Sequence, residues 1–259
     1  VVFPKQILDQ LAGPSKRDDV TINQITWQVG SLREVTTAEE WLRDLENPIR
    51  RSGRDTPGSN WHVYPSDPNE NINELYYGIE QIGWNGISKP EIFRKRGFQK
   101  KPDLPQISEY DEVQSALKEG ANLLDGTRHT YEMESKYDVG GIMLPRPFKV
   151  IRIGPARLFV DDMEEALAFY LQRMGLTVTE EVTYNGHRCV FLRANTEHHS
   201  LALYPMALRA ELGLSEHTSC MSFGMQVGDY QQLRDAVSFI EEQGVEIKYL
   251  PPELFPGMD

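Results

Sequence analysis

A chain of 259 residues, 39% hydrophobic and 25% charged, has room for one large domain or two smaller ones, each with its own core. Its 39 acidic against 27 basic residues leave a formal charge of −12, which argues against nucleic acid or an anionic membrane surface as a partner. No apolar run approaches the roughly 20 residues of a membrane helix, and two cysteines, Cys189 and Cys220, make neither a disulfide framework nor a thiolate metal site alone, so a reduced, cytoplasmic protein is expected.

In chain order, INQITWQVG (Ile22–Gly30) is rich in β-branched and aromatic residues and predicts a strand. TTAEEWLRDLEN (Thr36–Asn47) has helical spacing, with Thr36 or Thr37 placed to cap an acidic first turn. SNWHVYPSDP (Ser59–Pro68) and NELYYGIEQIG (Asn73–Gly83) predict two further strands. Trp84–Pro105, with its Gly, Pro and basic residues, reads as a connection, Ser108–Gly126 as a helix, and Gly140–Lys149 as the second half of the connection. A strand over Val150–Val160 and a helix over Asp161–Gly175 follow. Strands over Leu176–Tyr184, His187–Ala194 and His199–Pro205 and a helix over Asp229–Gly244 complete the series. The expected domains are residues 1–83 and 150–259, joined by a segment 84–149 with its helix near 108–126.

An internal repeat organises these elements. A shift of 198 positions lays Gln28-Val29-Gly30 on Gln226-Val227-Gly228, Ala38 on Ala236, Trp41 on Phe239 and Leu42 on Ile240. With one residue of slip, Thr56–Asn60 lies on Phe255–Asp259. RLFVDDMEEALAFY, from Arg157, begins a third copy. The unit is strand, helix, then two or three strands, a βαβββ module. One such module leaves an apolar sheet face uncovered, so modules must pair. The expected class is α+β: paired modules forming curved, barrel-like mixed sheets around a cup, with helices outside. The chain is expected to start at the end of one module and to stop partway through another, as a piece of a longer protein would.

ARLFVDDMEEALAFYLQRMGLTVTEEV, FLRANTEHHSLALYP and VYPSDPNENINELYY together resemble the vicinal oxygen chelate superfamily of glyoxalases, bleomycin-resistance proteins and extradiol dioxygenases. The doubled histidine in EHHSLAL is most similar to the two-domain extradiol dioxygenases. The resemblance implies a catechol-type small aromatic substrate cleaved with O2 at a non-haem metal, Fe(II) or less often Mn(II), in a homo-oligomer free of nucleic acid and membrane. It implies a metal held by two histidines and one glutamate, and a nearby histidine, matching His199, that moves a proton. The alternative is a metal-independent relative that binds or rearranges a small molecule in the same cup and needs no cofactor.

Carried over residue by residue, the histidine ligand positions are Gln24, Pro155 and Ser222, none of them histidine, and the carboxylate position of the first complete module is Glu74. The candidate catalytic residues are His199 and His198. Strand alternation would send their side chains to opposite faces, with His199 toward the cup. His62, Tyr64 and Tyr76 are candidate substrate-binding residues, because His62 and Tyr64 share a face by the period of two. No G-x-S-x-G elbow or phosphate-cradling glycine loop occurs.

Overall fold

The computed structural model describes residues 22–53, 59–79, 101, 104–105, 109–125 and 133–257, which fall into two compact units, within Asn23–Tyr131 and within Glu132–Asp259. In the first, the alternating residues Gln24–Gln28 form β1, and the helix α1 runs over Leu32–Asp44. That helix starts four residues before its predicted start. The Ser31 side chain accepts the Glu34 N–H at 3.1 Å, and the Glu34 carboxylate reaches back to accept the Gly30 N–H at 2.7 Å. Ser31 so satisfies one donor that a helix start leaves open, and Glu34 ties down the residue before the cap. Thr36, one of the two predicted caps, instead donates its hydroxyl to the Leu32 carbonyl, and both it and Thr37 lie inside the helix.

Leu32, Val35 and Leu42 form the buried stripe of α1. Three strands follow: β2 (Ile49–Gly53), β3 (Ser59–Pro65) and β4 (Ile72–Ile79). The sheet order is β1-β4-β3-β2, with β1 parallel to β4 and the other pairs antiparallel. The β3–β4 turn is tied by Asp67, whose carboxylate accepts from the Asn71 backbone N–H and side-chain amide at 2.8 and 2.9 Å. Period two divides this sheet into faces. Trp61, Val63 and Leu75 are buried with the α1 stripe, while His62, Tyr64 and Glu74 point to the opposite face. Helix α2 covers Glu109–Lys118, shorter than predicted, and Gly120 beyond its end adopts φ +92°, a conformation open to glycine. Residues 80–83 of the predicted strand Asn73–Gly83 lie outside the described residues.

The second unit opens with a hairpin of β5 (Tyr137–Val139) and β6 (Ile142–Leu144), where a plain connection was expected. Then come β7 (Val150–Val160), the helix α3 (Met163–Leu167), a π-helical turn over Ala168–Arg173, β8 (Thr177–Tyr184), β9 (His187–Arg193) and β10 (Leu201–Pro205). A short α4 (Leu208–Glu211), β11 (Cys220–Val227) and α5 (Tyr230–Glu242) follow. The sheet order is β11-β7-β10-β9-β8, with β7 parallel to β10. Apart from β11, this is the connectivity of the first unit, so each unit holds one βαβββ module. Both sheets are open, and no closed barrel occurs among the described residues.

The 198-residue repeat is visible in the backbone. Helices α1 and α5 are both 13 residues long and start at repeat-equivalent positions, each behind a side-chain cap, Ser31 and Asp229. Asp162 caps α3 in the same way. The sheet neighbours differ: β1 lies parallel to β4, whereas β11 lies antiparallel to β7. Part of the predicted match of Thr56–Asn60 to Phe255–Asp259 lies outside the described residues.

In the second unit, Leu158, Val190, Leu192, Leu201 and Leu203 are buried on one face of the sheet. Phe159, Cys189, Phe191, Ala202 and Tyr204 form a core on the other face, and Leu254 is wholly buried among them. Leu254 belongs to a strap, Pro251–Pro256, that follows α5 and crosses this face. Its carbonyl accepts the Tyr204 hydroxyl at 2.6 Å.

Candidate functional site

The doubled histidine lies in a loop, because β10 begins only at Leu201. Strand alternation therefore does not apply to it, and the expectation of opposite faces is corrected. The two imidazoles stack, with centroids 3.8 Å apart and planes at 29°. His198 is 60% exposed at its side chain and His199 only 3%. Both Nε2 atoms face the Glu180 carboxylate of β8, at 4.0 and 3.8 Å. Glu180, His198 and His199 thus bring three ligand atoms within 4.8 Å of one another.

Around His199 the partners are well defined. Its Nδ1 is 2.8 Å from the Thr179 hydroxyl, which donates to the Phe191 carbonyl at 3.0 Å. Its Nε2 is 3.2 Å from the Pro256 carbonyl, and the Phe191 ring lies 4.9 Å away. Burial, with His198 beside it, holds the His199 pKa below the usual imidazole value, against the opposing pull of Pro256 and Glu180. Gly257 (φ +68°) backs onto His198, and a Cβ there would run into the ring.

At the positions inferred from the resemblance, a metal does not fit. Pro155 has no donor side chain. Ser222 Oγ accepts from Arg157 at 3.1 Å, and that guanidinium is almost wholly buried on the same face, so a fixed positive charge already stands there. Ser200, the carboxylate position of this module, is bonded to Glu197 and to the Ala194 N–H. The Glu180–His198–His199 group does suit a metal: two imidazoles and one carboxylate are the donor set of non-haem iron sites, and a hydrogen bond at the second ring nitrogen, as Thr179 provides, is usual for a ligating histidine.

In the first unit the sequence-predicted residues also meet. Glu74 Oε2 accepts from Gln24 Nε2 at 2.7 Å and from the Thr26 hydroxyl at 3.2 Å, while its Oε1 is 3.8 Å from His62 Nδ1. The Tyr64 ring stands edge-on to His62, 4.7 Å between centroids, under the Arg51 guanidinium. Burial first, then Glu74, pushes the Tyr64 hydroxyl up to about 12. The same two causes raise Tyr76, whose hydroxyl donates to Gln28 at 3.4 Å. Gln24 serves Glu74 as a donor, and among the described residues Glu74 joins no group of three metal-capable side chains.

Sequence reasoning missed Glu180, Thr179, Arg157 and the Pro256 carbonyl. Glu180 stands in an ordinary strand motif, and only the pairing of β8 with β9 carries it to the histidine loop. A backbone carbonyl leaves no mark in sequence. Of the remaining histidines, His187 is 2.7 Å from Glu211, His217 is exposed beside Glu216, and His129 lies outside the described residues.

Residues 152–257 match the Glyoxalase/Bleomycin resistance protein/Dioxygenase superfamily, which places this stretch in the family that the DDMEEALAFY and EHHSLAL motifs resemble. Among solved structures, a catechol 2,3-dioxygenase is 17% identical with a TM-score of 0.54, over 86% of this chain and 57% of its own. The 2,3-dioxygenase LapB from Pseudomonas sp. KL28 is 13% identical with a TM-score of 0.54, over 88% and 62%. A Mn(II)-bound glyoxalase from Novosphingobium aromaticivorans is 12% identical with a TM-score of 0.52, over 89% and 54%. At these identities the likeness is one of fold, and the chain spans 54% to 62% of the length of these three structures. No curated protein matches the sequence. No helix among the described residues is long and apolar enough to cross a membrane.

Proposed function

We propose that the chain is an extradiol-dioxygenase-like enzyme that takes a catechol-type small aromatic molecule and O2 at a non-haem metal, Fe(II) or, less readily, Mn(II). The observation that carries this reading is the meeting of Glu180, His198 and His199, in a fold shared with catechol dioxygenases. These three residues would hold the metal. Once bound, it would supply a Lewis-acid site where a diol loses its protons beside O2.

The chain's own residues prepare that site. Thr179 holds His199 at Nδ1 and so fixes the ring's orientation. The depressed pKa of His199 keeps its ring neutral near neutrality, as a metal ligand must be. Phe191 lies against the His199 ring and offers an apolar wall to a flat substrate. Iron and manganese analysis of purified protein, with oxygen uptake on a panel of catechols, tests the reading. Metal-dependent uptake that a chelator abolishes is expected, and metal-free protein that consumes no oxygen overturns it.

A second reading is a metal-independent relative that binds or rearranges a small molecule. Arg157 favours it, since its charge stands where the resemblance would put the metal, with Pro155 and Ser222 beside it. A ligand-induced melting shift that a chelator leaves unchanged is expected on this reading.

A further inference from the structure

We infer that strand β1 of the first unit pairs edge to edge with β1 of a second copy of this chain, so that the Glu74 cluster is half of a twofold site. The inference is independent of the metal reading at Glu180, His198 and His199.

The second unit shows what such an edge takes. There β7 holds the last strand of its own module, β10, in parallel along one edge, and β11 antiparallel along the other. Phe223 of β11 faces Ala156 of β7, and each stands six residues before its own helix cap, Asp229 and Asp162. Ser222, seven before its cap, faces Arg157, five before its own. Equivalent positions of two modules are therefore paired about a local twofold axis, an arrangement that two identical strands can also adopt.

In the first unit β1 holds the last strand of its module, β4, in parallel, and among the described residues its other edge has no strand. Ile25 is the residue six before the cap Ser31. The same axis placed there sets Ile25 against Ile25 of the partner subunit, and Gln24 against the partner's Thr26. The backbone is disposed for it. The Val29 N–H bonds the Tyr76 carbonyl of β4, so by the period of two Gln24 and Thr26 turn their N–H and C=O groups to the open edge. Antiparallel pairing of Gln24 with Thr26 joins those groups and leaves Ile25 in a close, non-hydrogen-bonded pair.

The strand also lacks the usual guard against pairing. Ile22–Gly30 carries no charged residue, whereas β2, the other edge of the same sheet, carries Arg50 and Arg51. Gln24 and Thr26 both donate to Glu74, at 2.7 and 3.2 Å. Their equivalents across β7 and β11, Ser222 and Arg157, bond to each other at 3.1 Å. The partner's Thr26 and Gln24 thus join the two Glu74 clusters into one continuous polar floor.

Light scattering of the whole chain and oxidation of introduced cysteines test the pairing. The chain should be a dimer at micromolar concentration, and Ile25→Lys, which sets like charges opposite each other, should halve the mass. Ile25→Cys should close a disulfide between copies under mild oxidation, since a close antiparallel pair has the Cα separation that such a bond needs. Gln28→Cys, exposed on the same strand but away from the axis, should not. The native thiols Cys189 and Cys220 are buried and should stay reduced. Should Ile25→Lys fail to fold, the two cysteine variants decide alone. A monomeric chain, a dimer that Ile25→Lys leaves intact, or equal cross-linking of Gln28→Cys and Ile25→Cys overturns the inference.

Discussion

Arg157 reaches from β7 to β11 and donates to Ser222 Oγ at 3.1 Å, on the face where the resemblance calls for a metal. Burial lowers the pKa of the guanidinium, opposed by the Tyr204 hydroxyl beside it. Taking away a buried, bonded charge strands its partners. Arg157→Met should therefore cost about 1–3 kcal/mol of stability, read from the urea midpoint. An unmoved midpoint would mean that the charge is solvated.

The helix caps give a second test. Ser31→Ala and Asp229→Ala each remove an oxygen that accepts a first-turn N–H, at 3.1 and 2.8 Å. Each should cost about 1 kcal/mol in urea denaturation. Thr36→Ala, at the position first expected to be the cap, should cost distinctly less than Ser31→Ala; the reverse order would refute the assigned helix start.

The His199 pKa, lowered by burial and by His198, sets a direction with pH. A group whose folded pKa is depressed is protonated more readily in the unfolded chain. Its contribution is full above the ordinary histidine value and is lost as pH falls through the folded one. Between about pH 7.5 and about pH 5, on either side of that ordinary value, the melting temperature of the chain should fall more than that of His199→Gln. Glu180, His198 and Arg157 also face the ring, so the difference between the two proteins reads His199 together with its coupling to them. Parallel curves would exclude His199 as a source of acid sensitivity.

Both thiols should be silent. Burial pushes Cys189 up to about 12 and Cys220 up to about 11. A thiolate-selective reagent at about pH 8, below the ordinary thiol value, should label neither in the native chain and both after denaturation. Rapid native labelling would show that one of these strands opens.

What the sequence revealed, and what it hid, follows from the range of the forces. Val150–Val160 was legible to the residue because its β-branched and aromatic run leads straight into a capping Asp. The strand IRRSG escaped notice because its charges mask the alternation. The start of α1 was missed although Ser31 and Glu34 have the spacing of a reciprocal cap, because the apolar pattern drew attention to the later threonines. At the candidate sites, the shared face of His62 and Tyr64 was legible since period two needs only neighbours along a strand, whereas Glu74, on the next strand, was named only through the resemblance. The group at His199 was not legible. It depends on a loop's path, on the pairing of β8 with β9, and on a carbonyl 57 residues away.

The bond between Tyr204 and Leu254 spans 50 residues. The chain through β10 therefore holds Phe159, Phe191 and Tyr204 but not the side chain that lies wholly buried among them. Leu208 covers part of that surface soon after Tyr204 is made, but the core closes only when Leu254 arrives, so any truncation before it leaves an apolar face without its last cover.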